Sequence, residues 1–253
     1  MPSTLGILSS SIGSIPCINK AFLKIDGADA TTYTQLILNS GTAGPEVLSA
    51  QLGSTPGVDT NDPVINGDGT LSFAGQQHMI VADHPLLAFG SATSFTVTIK
   101  YRMNAASAAN YGASLSKLNN STGSNGWAIL EKPAGNPDLT WAYLSDGVHP
   151  ERVLPVASQI DGTWIVRTLV VNRADSTLKL YRNGALDGST GLTTMAAASF
   201  ETSWPLQFGG GSPYGGGVGQ FPAPPTDFRI LTIHDTALTP DDIFSLYEEI
   251  EAL

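Results

Sequence analysis

Between Phe95 and Arg102 the chain alternates without a break: Phe95, Val97, Ile99 and Tyr101 are apolar, and Thr96, Thr98, Lys100 and Arg102 are polar. A period of two sends successive side chains to opposite faces, so the pattern predicts a strand with one buried and one wet face. Ile165 to Asn172 and Leu178 to Arg182 read as two further strands, separated by a break at Ala174-Asp175-Ser176. Asn183-Gly184 follows, a pair that accepts the two positive φ angles of a tight hairpin turn. Trp127 to Leu130 and Leu139 to Leu144 read as a strand pair, Leu206 to Gly210 and Asp227 to His234 as single strands, and Asn104 to Gly126 as a long loop. Only at the end does the period change. Ile243, Leu246, Tyr247 and Ile250 recur at helical spacing behind Thr239, which can cap, Pro240 at the first helical position, and Asp241 and Asp242 at the positive end of the dipole.

The first part of the chain lacks such clarity. Residues 1–65 are rich in Ser, Thr, Gly and Pro, with one plausible strand at Ala21 to Ile25 and an apolar stretch at Tyr33 to Leu38. They are read as an N-terminal arm or docking segment, and 66–253 as a single domain. The apolar residues Leu5, Ile7, Leu8, Ile12 and Ile15 leave two courses open: insertion into a neighbouring subunit, or wrapping around the domain's own sheets.

Composition narrows the setting. Of the net charge of −10, six acids after Arg229 supply a large share, and no basic residue follows that arginine. The remaining cations are scattered, so neither nucleic acid nor an anionic membrane is an expected partner. Cys17 is the sole cysteine, which rules out an intrachain disulfide. The start has no basic residue before Lys20 and no continuous apolar run, so no secretory signal is expected.

From about Thr70 onward the landmarks come in a recognisable order. They are Leu71-Ser72-Phe73-Ala74-Gly75 with Met79-Ile80-Val81 and Asp83, then Asp161-Gly162-Thr163-Trp164 and the two strands behind it, Leu206-Gln207-Phe208-Gly209, Asp227-Phe228-Arg229-Ile230, and Ala237-Leu238-Thr239-Pro240-Asp241-Asp242-Ile243. This series resembles the laminin-G-like (concanavalin A-like) domain. The resemblance implies an all-β fold, a two-sheet antiparallel jelly-roll sandwich with a short C-terminal helix, in which residues 71–81 form an opening hairpin. A fainter likeness of Tyr33 to Val47 to arms on bacteriophage structural proteins points to a virion component.

The chemistry is sparse. Glycoside hydrolysis needs two facing carboxylates, yet Glu46, Glu131, Glu151 and Glu201 are each isolated among non-acidic neighbours. No histidine pair has metal-ligand spacing, and no serine elbow is present, so neither zinc nor nucleophilic catalysis is expected. No cofactor is required. Calcium is the one ion the resemblance leaves open, with Asp68, Asp83, Asp146 and Asp227 as candidate acids. Sugar binding calls for an aromatic face flanked by hydrogen-bonding groups. Trp141 and Tyr143 share a strand face, Asp146 and His149 follow in the next loop, and Tyr214 sits in the glycine-rich loop 209–219. Trp127 and Trp164 are assigned to the core.

These readings point to a non-enzymatic structural or adhesion protein of a virion, assembled in a host cytoplasm and docked through its arm to other virion proteins and to copies of itself, with cell-surface glycans as further partners. The alternatives are a carbohydrate-binding module outside any particle, working extracellularly, and a glycoside hydrolase using Glu131 or Glu151.

Overall fold

A computed structural model describes residues 17–30, 35–104, 112–118, 125–132, 139–148, 150–153, 162–192, 198–210 and 223–253. In chain order the strands are β1 (Leu23–Asp26), β2 (Leu36–Ile37), β3 (Ala50–Leu52), β4 (Val64–Ile65), β5 (Leu71–Gly75), β6 (His78–Val81), β7 (Phe95–Met103) and β8 (Gly112–Leu118). They continue with β9 (Asn125–Lys132), β10 (Leu139–Asp146), β11 (Pro150–Val153), β12 (Ile165–Asn172), β13 (Thr177–Arg182), β14 (Ala185–Gly191), β15 (Leu206–Gly209) and β16 (Ala223–His234). One helix, α1 (Pro240–Glu251), closes the described chain.

The strands form two eight-stranded antiparallel sheets among the described residues. The first runs β14-β13-β12-β7-β16-β5-β4, with β1 also on β16; the second runs β11-β10-β9-β8-β15-β6-β3-β2. Long β16 takes β5 along its first half, Phe228 opposite Leu71, and β1 along its second, Ile233 opposite Leu23. This is the sandwich expected from the sequence. The core between the sheets joins Val97, Ile99 and Tyr101 of β7 to Trp127 and Ile129 of β9, Phe208 of β15 and Met79 of β6. Aromatic rings link the layers: Phe89 stacks on Phe95 at 3.9 Å between centroids, and Phe95 lies 5.9 Å from Trp127.

Several expectations change once the layers are assembled. Among the described residues, the first 65 are not separate from the domain. Phe22, Leu23, Ile25, Ile37, Ala50 and Leu52 sit in the main core, with β1 and β4 in one sheet and β2 and β3 in the other. From Cys17 on, the segment follows the wrapping course. Residues 71–81 are not a paired hairpin: β5 lies in the first sheet and β6 in the second, the chain crossing between them at Gly75, whose φ is +61°. The long loop at 104–126 contains strand β8, whose Ser, Ala and Gly residues hide it from a hydrophobicity pattern.

Strand β7 is buried on both faces rather than one. Thr96 and Thr98 are fully buried and Lys100 nearly so, because α1 and the 3-10 turn Cys17–Lys20 cover the outside of the first sheet. Ile243, Leu246 and Ile250 face the sheet as the spacing predicted. The covered polar groups of β7 find partners: Thr96 Oγ1 donates to Thr236 O (2.8 Å) and accepts from Leu238 N (3.0 Å), Thr98 Oγ1 lies 3.0 Å from Thr168 Oγ1, and Lys100 Nζ donates to Ile250 O (3.1 Å). Thr239 and Asp242 form a reciprocal capping box at the start of α1. The Asn183-Gly184 turn has φ of 49° and 78°, as the hairpin reading requires.

Candidate functional site

Among the described residues, an open cleft lies where the second sheet ends, between the segment leaving β6 and the segment entering β15. It measures about 390 Å³ and is lined by Asp83, His84, Pro85, Ala88, Glu201, Thr202 and Ser203. These segments meet because β6 and β15 are antiparallel neighbours, Val81 opposite Leu206.

Lys117 holds the two walls together. Its side chain, on the adjacent β8, is fully buried and donates to Asp83 Oδ1 (2.6 Å), Thr202 O (2.9 Å) and Trp204 O (2.8 Å). All three ammonium protons are thereby used. Burial pushes the ammonium below its ordinary pKa, and the hydrogen bond and charge of Asp83 offset part of that.

Each wall is also braced locally. His84 caps the 3-10 turn Pro85–Leu87 by accepting from Leu86 N through Nδ1, which puts the proton of the neutral ring on Nε2. The opposite wall is fixed by Phe200 N donating to Phe89 O (3.1 Å) and by Arg173, whose Nη2 donates to Ala198 O (2.6 Å) while its guanidinium lies 4.4 Å over the Phe200 ring. Glu201 Oε1 lies close above Gly90, where an added Cβ would come within 3.3 Å of it. The cleft therefore presents carboxylates and hydroxyls beside the apolar faces of Pro85 and Ala88.

The residues proposed from sequence are placed elsewhere. Tyr143 lies on the face of β10 turned away from the main core. It is only 7% exposed, packed with Leu118, Ala128 and Leu130, so its ring is a packing element rather than a displayed platform. Trp141 occupies the register position opposite Leu130, and its side chain lies outside the described residues, as do those of Glu131 and Glu151. Asp146 is half-buried and caps its own turn, Oδ1 accepting from Val148 N (2.9 Å). His149 and Tyr214 lie outside the described residues. In the second sheet, β9 and β8 separate β10 from β15, so the proposed platform and the cleft are distinct places.

The acids considered for calcium have other employment. Asp83 pairs with Lys117, and Asp68 Oδ1 takes the backbone and hydroxyl of Thr70 (3.1 and 2.6 Å). Asp227 accepts from Ser72 Oγ (2.6 Å), Arg102 Nε (2.8 Å) and Asn104 Nδ2 (2.9 Å). Burial raises the Asp227 carboxyl, but the hydrogen bonds from Asn104, Ser72 and Arg102, with the Arg102 charge, outweigh it and hold the group below the usual carboxylate range. Trp127 is fully buried as expected. Trp164 is not: it is half-buried outside the core, with the Arg102 guanidinium 4.7 Å over its ring.

Of the cleft residues, the sequence marked Asp83 as a candidate calcium acid and Glu201 as an isolated glutamate, neither as part of a cleft. No local signal joins Asp83 and His84 to Glu201, or marks Lys117, because long-range strand pairing alone brings them together.

The binding domain of Paraclostridial Mosquitocidal Protein 1 superposes with a TM-score of 0.64 at 14% identity, over 92% of this chain and 53% of the other. The binding domain of Botulinum Neurotoxin DC, solved in complex with SialylT, gives 0.64 at 11% identity over 92% and 52%. A botulinum neurotoxin type C structure, whose cell entry is described as dependent on two ganglioside molecules, gives 0.64 at 12% over the same shares. The chain thus spans about half the length of these chains, and the likeness at such identity is one of fold. A sequence comparison with curated proteins finds no match. The family model Laminin_G_3, described as the concanavalin A-like lectin/glucanases superfamily, matches residues 73–244. With most of the sandwich inside that match, the chain belongs to this laminin-G-like family of the concanavalin A-like superfamily.

Proposed function

We propose that this chain is a non-catalytic recognition domain that binds a neutral glycan in the cleft between Asp83–Ala88 and Glu201–Ser203. The observation that carries the reading is the Lys117 tie, which fixes two polar walls from opposite ends of the sequence into one preorganised cleft. Asp83 and Glu201 accept from sugar hydroxyls, His84 Nε2 donates, and Pro85 and Ala88 receive the apolar edge of a ring. With the Asp83 charge balanced by Lys117, Glu201 leaves the cleft negative, so acidic sugars are disfavoured. Asp83 is already paired with the buried Lys117 ammonium, which argues against a facing acid pair for hydrolysis.

The test is a glycan array followed by titration calorimetry of the wild type and of Glu201→Gln and His84→Ala. Binding of neutral glycans that both substitutions weaken supports the reading. An array with no hits, or sugar release from a polysaccharide that Glu201→Gln abolishes, would overturn it.

The placement of this domain on a bacteriophage particle is the second part of the proposal. It is supported by the uncharged, intermittently apolar residues ahead of Cys17. Those residues would dock to other virion proteins or to further copies. Co-sedimentation with intact particles, lost when residues 1–16 are removed, is the expected result; a monomer absent from purified particles refutes it.

A further inference from the structure

The opposite end of the sandwich carries a second cavity, about 200 Å³, lined by Asp68, Thr70, Lys100, Trp164, Arg229 and Leu253. The first cleft adjoins the segment that leads into the start of β7, whereas this cavity lies beside Lys100, near the strand's far end. Its aromatic wall is held in place. Arg102 lies 4.7 Å over the Trp164 ring, and Arg102 is itself fixed by Asp227 (2.8 Å), which Ser72 and Asn104 hold in turn. Gly162, two residues before Trp164, donates its N–H to Met103 O (2.9 Å) and so ties the tryptophan's loop to the end of β7.

The charges around the cavity decide what it can take. Each nearby cation has an acidic partner: Lys100 with Glu251 (3.2 Å), Arg102 with Asp227, and Arg229 with Asp26. An anionic ligand would have to displace one of those carboxylates. A cationic ligand would approach Lys100 and Arg229 directly. Asp68, exposed and held below the usual carboxylate range by the Thr70 hydroxyl and backbone, stays ionised as an acceptor. A half-buried indole beside an ionised acceptor, with each nearby cation already paired, suits an uncharged polyhydroxylated ring.

We propose that this cavity is a second saccharide site, taking one neutral pyranose against Trp164 with its hydroxyls on Asp68, so that the domain is bivalent. The inference rests on the glycan-binding reading of the first cleft but uses none of its residues. Two sites at opposite ends of a rigid sandwich would bridge neighbouring glycans rather than grip one chain, and linked weak sites gain in avidity without new contacts.

The experiment is titration calorimetry, with ligand-observed NMR, of methyl glycosides of glucose, galactose, mannose and N-acetylglucosamine against four proteins: wild type, Trp164→Ala, Asp68→Asn and Glu201→Gln. Two sites per chain in the wild type, one in Glu201→Gln, and one in Trp164→Ala with the second weakened by roughly tenfold or more would support the proposal. Asp68→Asn, at an exposed position, keeps the fold measurable should Trp164→Ala be unstable, and it must weaken the same site. A single site abolished by Glu201→Gln and untouched by Trp164→Ala and Asp68→Asn would overturn the second site while leaving the first. Binding of none of the four glycosides to any protein would overturn both.

Discussion

Replacing Lys117 with Met tests whether one buried ammonium holds the cleft. Methionine fills nearly the same volume and cannot donate, so the packing of β8 is retained while three hydrogen bonds are lost. Breaking a buried ion pair costs about 3–5 kcal/mol when the abandoned charge stays buried. Asp83 is 40% exposed, so water can replace its partner and the loss falls below that range. The carbonyls of Thr202 and Trp204 carry most of the cost. A stranded carbonyl costs about 1–3 kcal/mol, and because the half-buried segment around them can admit water, the lower end applies to each. Removing the desolvated charge returns part of the sum. The expected net loss is about 2 kcal/mol, or roughly 4–8 °C in Tm for a domain of this size. Urea unfolding at neutral pH, with an unchanged m-value, measures it. Asp83→Asn, which keeps an acceptor for the lysine, should lose less than Lys117→Met, and glycan affinity should fall in both. Wild-type or greater stability in Lys117→Met would refute the claim that this lysine ties the walls.

Other consequences follow from the packing. Because the Asp227 carboxyl is depressed in the folded state, its stabilisation is present above the ordinary carboxylate pKa and is lost as pH falls through the lower folded value; urea midpoints from pH 7 to pH 3 should therefore decline less steeply in Asp227→Asn than in the wild type, from a lower start. Gly184→Ala should destabilise by about 1–2 kcal/mol, since φ is +78° and the new Cβ would come within 3.0 Å of Phe244; a thermal melt matching the wild type would contradict this. Glu249 accepts from Cys17 N (2.8 Å) and Ile18 N (2.7 Å), so Glu249→Ala should free the segment ahead of β1 and speed tryptic cleavage at Lys20, with an unchanged digestion rate as the contrary result. Cys17 should resist thiol reagents in the native protein, its pKa raised to about 11 by burial and by the charges of Asp242 and Glu249; rapid labelling at pH 8 would contradict this.

What the sequence determined by itself is local. The alternation that makes β7 a strand, the positive-φ pair at Asn183-Gly184, and the stripe and cap of α1 each depend on residues within one or two turns of chain, and each of these elements is present. The order of landmarks from residue 70 onward carried the sandwich as well. The tertiary structure decided which faces are covered and which distant residues meet. Thr96, Thr98 and Lys100 read as wet and are buried, because a helix some 140 residues later and a turn near the start close over them. The early strands β2 and β3 are too short to show a period, and they exist because sheet edges offer unpaired backbone groups. Tyr143 and Trp164 exchanged their expected roles for the same reason: parity fixes the face of a strand, but what lies over that face is set elsewhere in the chain. The cleft is the clearest instance. Asp83 and Glu201 have no sequence relation, and a single lysine on a strand that the pattern concealed brings their two walls together.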